Sequence, residues 1–385
     1  MSYPRKLVHV IGGGLTGATA AWYLHREIDC RVVVHEAQPW VGGQLRGATL
    51  HGIPYELHGP HIFHTDSREA YEVANHFDQL DSYYRHTVKT MASHGIISWP
   101  PQVDELVGLE EWSTIERELD ARPAVDERDT TNFETYAIDV MGKTLYEWLC
   151  YGYTKKQWGC EPSELSASFA PKRIDLRTDG YRYLFRDRYQ GYYRHGWHHL
   201  IDDLLKDARA DVILGETVTL DTLPTQADAY VVTAPLDQFM ERDPLPWRGS
   251  SFQHHLVPEG THAGQISALP APVVNYPSAN VPWTRKTETM QMYRARPIDA
   301  VRGHSVVSVE TPGANVKHYP VYDVDGHHRR WNKALQDELV KVLPTAVTAG
   351  RLANYVYIDM DQAIIQGLNA GRKIVRRLTG REDEG

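Results

Sequence analysis

Cysteine is scarce. Cys30, Cys150 and Cys160 are the three in 385 residues, with no CxxC pair among them, which excludes a disulfide framework. Long hydrophobic runs are missing as well: no stretch approaches the roughly 20 apolar residues that span a bilayer. Met1 to Arg5 leads straight into an apolar segment without a signal-peptide pattern, so a cytoplasmic protein without membrane insertion is expected. Basic tracts are also lacking. Lys and Arg total 41 against 50 Asp and Glu, a formal charge of −9, and nucleic-acid binding needs clustered cations; no nucleic-acid partner is expected. Histidines number 20, but the pairs His198-His199, His254-His255 and His327-His328 are adjacent and point apart on one element, so no metal site is expected. Phe is rare at 7, whereas Tyr reaches 22 and Trp 10. Their apolar faces and polar tips suit a ligand surface and Tyr-rich core layers equally. Hydrophobic residues at 42% and charged residues at 24% exclude a disordered or fibrous chain, and the length suggests two to three domains.

The first fifty residues carry a recognisable pattern. Lys6 to Ile11 is a short apolar run, followed by Gly12, Gly14 and Gly17 in GxGxxG spacing, and Ala18 to Glu27 continues with helix formers. A β-branched run, Arg31 to Val34, ends at His35-Glu36, and Glu36 follows Gly17 by 19 residues. Strand, tight turn, helix, strand and acid in that order predict a dinucleotide, its diphosphate at the helix N-terminus and a ribose hydroxyl on Glu36. Gly42-Gly43 and Arg46 follow, a second glycine pair typical of FAD-binding relatives of this fold. Ala229 to Pro235 resembles the returning strand of such flavoproteins, with Ala234 replacing a Gly. Gly350 to Ala353, then Asp359-Met360 opening a helix from Gln362 to Leu378, resembles their C-terminal flavin contact.

In the middle of the chain, Glu105 to Ile115 has helical spacing and Asn132 to Leu149 predicts a further helix. Tyr151 to Gly159 shows no simple amphipathic period. Around Pro171 to Arg177 and Asp187 to Gly191, cations stand beside aromatics. Val273 to Asn275 and Val306 to Val309 read as strands of a second, antiparallel sheet.

Taken together these blocks resemble the UDP-galactopyranose mutase family over nearly the whole chain. Gly59-Pro-His-Ile-Phe-His-Thr65 is similar to its flavin-side motif and Gly152-Tyr-Thr-Lys-Lys-Gln-Trp-Gly159 to its nucleotide-binding stretch. Tyr189-Gln-Gly191, Asn280 to Arg285, Tyr319-Pro-Val321 and Gly350 to Met360 follow in family order. The resemblance implies an α/β fold with a Rossmann-like FAD-binding domain assembled from residues 1–85, 200–245 and 335–385. A helical domain, 86–170, and an antiparallel-sheet substrate domain, 171–199 and 246–334, complete it.

It further implies FAD, active when reduced, held by Gly12, Gly14, Leu15, Thr16, Gly17, Glu36, Gly43, Gln44, His61, Val212, Arg351, Tyr357, Asp359 and Met360. The implied partner is a nucleotide-diphosphate sugar, and the implied assembly a homodimer. Tyr153 would stack on the base, with Thr154 and Trp158 holding the nucleotide. Arg177, on a mobile loop, and Arg285 would clamp the diphosphate, helped by Tyr189, Tyr319 and Tyr357, while Asn275 would complete the sugar surroundings. The implied reaction is an isomerisation without net redox, in which reduced flavin N5 attacks the anomeric carbon and the ring reopens and recloses as a furanose. His61 and His64 would act near N5. UDP-galactose is the leading substrate, with another UDP- or dTDP-sugar (a deoxyhexose, an N-acetyl sugar or a pentose) as the alternative. An amine-oxidase-like flavin oxidoreductase is the more distant one. Departures from the family pattern fall at Pro60, Tyr192 to Trp197, Trp283, Ile358 and Asp361; those at Pro60, Tyr192 to His195 and Trp283 are expected to flank the sugar.

Overall fold

Five parallel strands from distant parts of the chain form the first sheet, in the order Ala346–Thr348, Ala229–Val232, Lys6–Ile11, Cys30–Glu36, Asp211–Leu214. The computed structural model describes residues 5–380 apart from 79, 83, 173 and 263. Val8, Val10, Val32, Val34 and Val231 are buried, the continuous apolar pattern of strands covered on both faces. Helix Leu15–Glu27 connects the first two strands in sequence, and the long helix Met360–Thr379 packs on it. Their contact is close: a Cβ added to Gly367 would lie 2.6 Å from the Thr16 carbonyl oxygen.

A second, six-stranded sheet runs Trp247–Pro258, His304–Pro320, Arg285–Glu288, Val273–Asn275, Val88–Ala92, Gly95–Trp99. Its neighbours are antiparallel except for the parallel pairing of Val273–Asn275 with Val88–Ala92. Two segments sit elsewhere than the sequence suggested. The hairpin of residues 88–99, assigned to the helical unit, closes the edge of this sheet. Tyr189–Gly191, assigned to it, pairs instead with Phe63–Thr65 in a separate ribbon. Strand pairing is decided by partners far away in the chain, which local patterning does not report.

The single helix expected over 132–149 is also interrupted. Asn132 caps its start, its side chain accepting from the Thr135 amide at 3.0 Å, but Gly142, at φ 79, ends it after Phe133–Met141. A short helix, Lys143–Tyr146, and a π turn, Glu147–Tyr151, follow. Helix Gly152–Trp158 then covers the stretch without an amphipathic period. That period is absent because this helix docks through polar contacts. A Cβ at Gly152 would meet the Pro277 carbonyl oxygen at 2.2 Å. Lys156 Nζ donates to the carbonyls of Tyr276, Ser278, Val281 and Trp283 at 2.7 to 3.1 Å. Burial pulls the Lys156 pKa down to about 8.

Three buried histidines make folding pH-dependent. His9, His86 and His318 are all less than 9% exposed, and burial pulls their pKa values down, to about 3 for His86 and about 4 for the other two. Unfolded, each titrates near 6.5. Below that pH the unfolded chain takes up protons that the folded chain refuses, so stability is full above pH 6.5 and falls as pH drops toward 4. Urea denaturation is expected to give an unfolding free energy on the order of 6 kcal/mol lower at pH 5 than at pH 7.5, about 2 kcal/mol from each ring. Equal stability at the two pH values would show that these rings are protonated in place.

Candidate active site

The N-terminal turn forms a cradle. Gly12 has φ +112, and a Cβ on Gly17 would lie 2.1 Å from the Gly12 carbonyl oxygen, so the turn can close only with glycine there. Gly14 begins helix Leu15–Glu27 without a side-chain cap, leaving the first-turn amides, those of Leu15 and Thr16 among them, without intrahelical acceptors. Glu36 accepts from the Gly13 amide at 2.8 Å and the Gln38 amide at 2.9 Å. Gly43 passes against Gly14, and Gly350, at φ +88, against Thr16. An open helix N-terminus, a glycine cradle and an adjoining acid fit the diphosphate and ribose of a dinucleotide. Val212 stands apart on the exposed edge strand, opposite Val34.

A cavity of about 780 Å³ opens beside this cradle, lined by the six-stranded sheet, the helices of residues 133–158 and the start of helix Met360–Thr379. Asn275 and Arg285 are cross-strand partners in its wall. Arg285 also pairs in register with Glu310 on the next strand, and its Nε and Nη2 reach Glu310 Oε2 at 2.8 and 2.7 Å. Glu310 is 2% exposed. Burial works against the Arg285 charge, but the carboxylate outweighs it and holds the guanidinium protonated well beyond its ordinary range. Tyr153, Tyr319 and Tyr357 surround the same guanidinium closely enough to influence it.

Aromatic rings form the adjoining wall. Tyr319 and Tyr357 stack at 5.6 Å between centroids, and Trp158 leans on both at 6.4 and 6.3 Å. Arg351 lies over the two tyrosines at 5.4 and 5.2 Å. It donates to Gln44 Oε1 at 2.8 Å and to the Ile358 carbonyl at 2.5 Å, which ties the C-terminal segment to the glycine cradle. Asp359 and Met360 open the last helix at the cavity edge. Thr154 also lines the cavity, and its neighbour Gln157 faces Thr284 beneath it.

Arg177 is not the free clamp the sequence suggested. It lines the cavity but is 7% exposed. Its Nε donates to Asp175 at 2.7 Å, and its Nη atoms donate to the carbonyls of Tyr181, Tyr183 and Leu184. The fork thus curls its own loop, and that loop carries Phe185, Arg186 and Asp187 to the cavity. His64 faces the cavity with its ring on Phe185 at 3.5 Å and Nδ1 at 3.1 Å from Asp187. Tyr189 lies outside the lining and stacks on Tyr71 at 4.3 Å.

The departures also redistribute. Pro60 and Asp361 line the cavity, whereas Tyr192, Tyr193 and Trp283 do not. Tyr192 and Tyr193 are 1% exposed and belong to the core of the parallel-sheet unit. Residues 192–195 therefore lie outside the cavity lining, where the sequence had placed them beside the sugar. Sequence reasoning passed over Glu310, Glu56 and Lys156. An acid closing a short apolar run was the available signal for Glu56, which ends strand Ile53–Glu56, and for Glu310, which follows Val306 to Val309 within its strand; for Lys156 there was none beyond its place in the motif. Glu56 fixes His61 in the cavity lining: its Oε2 meets the His61 amide and Nδ1 at 2.9 and 2.8 Å, and the His61 carbonyl accepts from the Trp197 indole at 2.7 Å.

The comparisons with known proteins agree with this architecture. The NAD(P)-binding Rossmann-like domain model matches residues 10–77. A dTDP-fucopyranose mutase of Escherichia coli is 28% identical, covering 96% of this chain and 98% of its own. A probable UDP-galactopyranose mutase of Klebsiella pneumoniae is 26% identical, with 98% and 97% covered. The crystal structure of a reduced UDP-galactopyranose mutase superposes with a TM-score of 0.78 at 16% identity, over 99% of this chain and 96% of that one. The family model for UDP-galactopyranose mutase matches residues 148–357, more than half of the sequence and the stretch that brings Tyr153, Arg285, Tyr319 and Tyr357 to one cavity, and the chain belongs to that family.

Proposed function

We propose that this protein interconverts the pyranose and furanose forms of a pyrimidine nucleoside diphosphate sugar, using bound reduced FAD. The observation that carries the reading is the convergence of Arg285, Tyr319, Tyr357, Trp158 and Tyr153 on one cavity that adjoins a dinucleotide cradle. A diphosphate gains negative charge as it leaves the anomeric carbon. A guanidinium fixed in a wall of low dielectric, with phenol donors beside it, lowers the energy of that charge. Tyr153 would stack on the base, Thr154 and Trp158 would hold the nucleotide, and Asn275 would meet the sugar. Gly12, Gly14, Leu15, Thr16, Gly17, Glu36 and Gly43 would hold the dinucleotide, with Gln44, Arg351, Asp359 and Met360 at its flavin end. Reduced flavin, when bound, supplies the electron pair that keeps the anomeric carbon while the sugar ring opens and recloses. Arg177 would act through the loop it folds, setting where Phe185 and Arg186 meet the substrate.

UDP-galactose and a dTDP-deoxyhexose are the two substrates to separate. The second is favoured by Val140, Leu149 and Cys150, which give the cavity an apolar wall near Tyr153 suited to the methyl group of thymine. Purified protein is expected to carry FAD and to be inactive until reduced. Incubating reduced protein with UDP- and dTDP-pyranoses, and following furanose formation by chromatography alongside oxygen uptake, tests this. Furanose should accumulate without stoichiometric oxygen consumption. Furanose formed by fully oxidised protein would overturn the role of reduced flavin, and oxygen consumed at every turnover would point to an oxidase instead.

Arg285 gives the sharpest variant. Arg285→Ala should keep the flavin absorbance and lose about 2–4 kcal/mol of transition-state stabilisation, read as kcat/KM. Arg285→Lys, which keeps the charge opposite Glu310 but not the planar fork, should recover only part. Wild-type kcat/KM in both variants would put the diphosphate elsewhere.

A further inference from the structure

The cavity does not end at Tyr153. Its lining runs on from helix Gly152–Trp158 over Leu149 and Cys150 of the preceding turn to Val140, and then to Arg122 and Arg128. These elements touch one another in that order. Cys150 Sγ donates to Met141 Sδ at 3.5 Å, and Arg122 Nη1 donates to the Val140 carbonyl at 2.8 Å. The other side of Tyr153 is within electrostatic reach of Arg285. Two cations therefore stand at the far end of an apolar wall whose near end is Tyr153.

Neither cation has an ion-pair partner among the described residues. Asp120 acts on Arg122 only at a distance, and other acids nearby are engaged. Asp139 accepts from the Asp129 amide at 2.7 Å, Asp129 from the Thr131 amide at 2.7 Å, and Glu118 from the Thr144 amide at 2.8 Å. Arg122 is anchored by Nε as well, which donates to the Leu119 carbonyl at 2.9 Å near the end of helix Trp112–Asp120. Its Nη2 has no partner among the described residues. Arg128 Nε is buried without an acceptor. Burial, with the Arg128 charge beside it, holds the Arg122 proton affinity below its ordinary range. Buried donors without acceptors are rare in folded proteins, and here they line a cavity that a ligand can enter.

Resting on the placement of a pyrimidine base against Tyr153 given above, we propose that Arg122 and Arg128 read the 4-oxo edge of that base and select uracil or thymine over cytosine. The connectivity of the ring supports the assignment. Carbons 4 and 5 are neighbours, so a base whose C5 side rests on Val140, Leu149 and Cys150 turns its 4-substituent toward the guanidinium anchored on the Val140 carbonyl. Uracil and thymine carry an oxygen there, which accepts from Arg122 Nη2 and Arg128 Nε. Cytosine carries an amino group, whose N–H donors would face the guanidinium donors and leave all of them unsatisfied. A site built around buried donors rejects a ligand that lacks the acceptor far more strongly than an apolar pocket rejects one methyl group. The arginines thus set the 4-substituent, and the apolar wall alone distinguishes thymine from uracil.

Calorimetric titration of the FAD-loaded protein with UDP, dTDP and CDP tests this without turnover. The parent should bind UDP and dTDP about 10- to 100-fold tighter than CDP. Arg128→Met keeps length without a donor. With its flavin absorbance intact, it should cut that ratio about tenfold by weakening UDP and dTDP while sparing CDP. Arg128→Lys, which keeps the charge but not the Nε donor, should hold only part of the ratio. Equal parent affinities for UDP and CDP would overturn the inference before any variant is made. So would Arg128→Met that keeps the ratio or weakens all three nucleotides alike, or Arg128→Lys at the full parent ratio, because the pair would then act as charge alone. A parent that prefers UDP and dTDP but turns over no nucleotide sugar would overturn the mutase reading and leave base recognition standing. A parent that binds none of the three would overturn both.

Discussion

A guanidinium half-buried in a cavity wall needs a carboxylate within contact distance, and the buried Glu310 meets that need for Arg285. Glu310 lies on a 17-residue strand that also carries Tyr319 to the cavity. Arg285 lies on the neighbouring strand, directly opposite Glu310 in register. One cross-strand pair therefore fixes both the cation and the register of the sheet that presents it. A one-residue slip between the two strands would put Arg285 and Glu310 on opposite faces. The irregularity opposite Gly249, where a Cβ would meet Val316 at 2.4 Å, adds residues to the His304–Pro320 strand between Glu310 and Tyr319 and leaves the pairing of Glu310 with Arg285 in register.

The remaining walls are attached to this sheet by cations that do not face the cavity. Lys156 fastens helix Gly152–Trp158 to the carbonyls of residues 276–283. Arg248 donates to the carbonyls of Lys156 and Gln157 at the end of the same helix, where a positive charge meets the negative end of the helix dipole. Arg177 does comparable work for its own loop. Four basic residues thus divide into one whose charge is offered to the cavity, Arg285, and three that hold its frame, Lys156, Arg248 and Arg177.

Legibility from sequence followed the range of the interactions involved. The glycine turn, its helix and Glu36 were readable because the whole device lies within about thirty residues and obeys local geometry. The wall residues Tyr153, Trp158, Arg285, Tyr319 and Tyr357 were readable only as motifs in order, since nothing local says that residues 153 and 357 share a cavity. That Tyr189, Trp283 and Tyr192 lie outside the cavity lining was unreadable for the same reason. An aromatic ring is equally at home in a core and at a binding surface, and burial is decided by what packs over it.

By itself the sequence determined the dinucleotide cradle, because GxGxxG, a following helix and an acid at that spacing leave the backbone few alternatives. It also determined the set of side chains available for a diphosphate and a base. Tertiary structure alone decided their assignments: that Arg285 has Glu310 opposite it, that the Arg177 fork is engaged by its own loop, and that Glu56 and Trp197 meet at His61. Each of these depends on strand register or loop packing between residues far apart in the chain. Such contacts are selected by the burial of whole surfaces, a quantity that no short stretch of sequence carries.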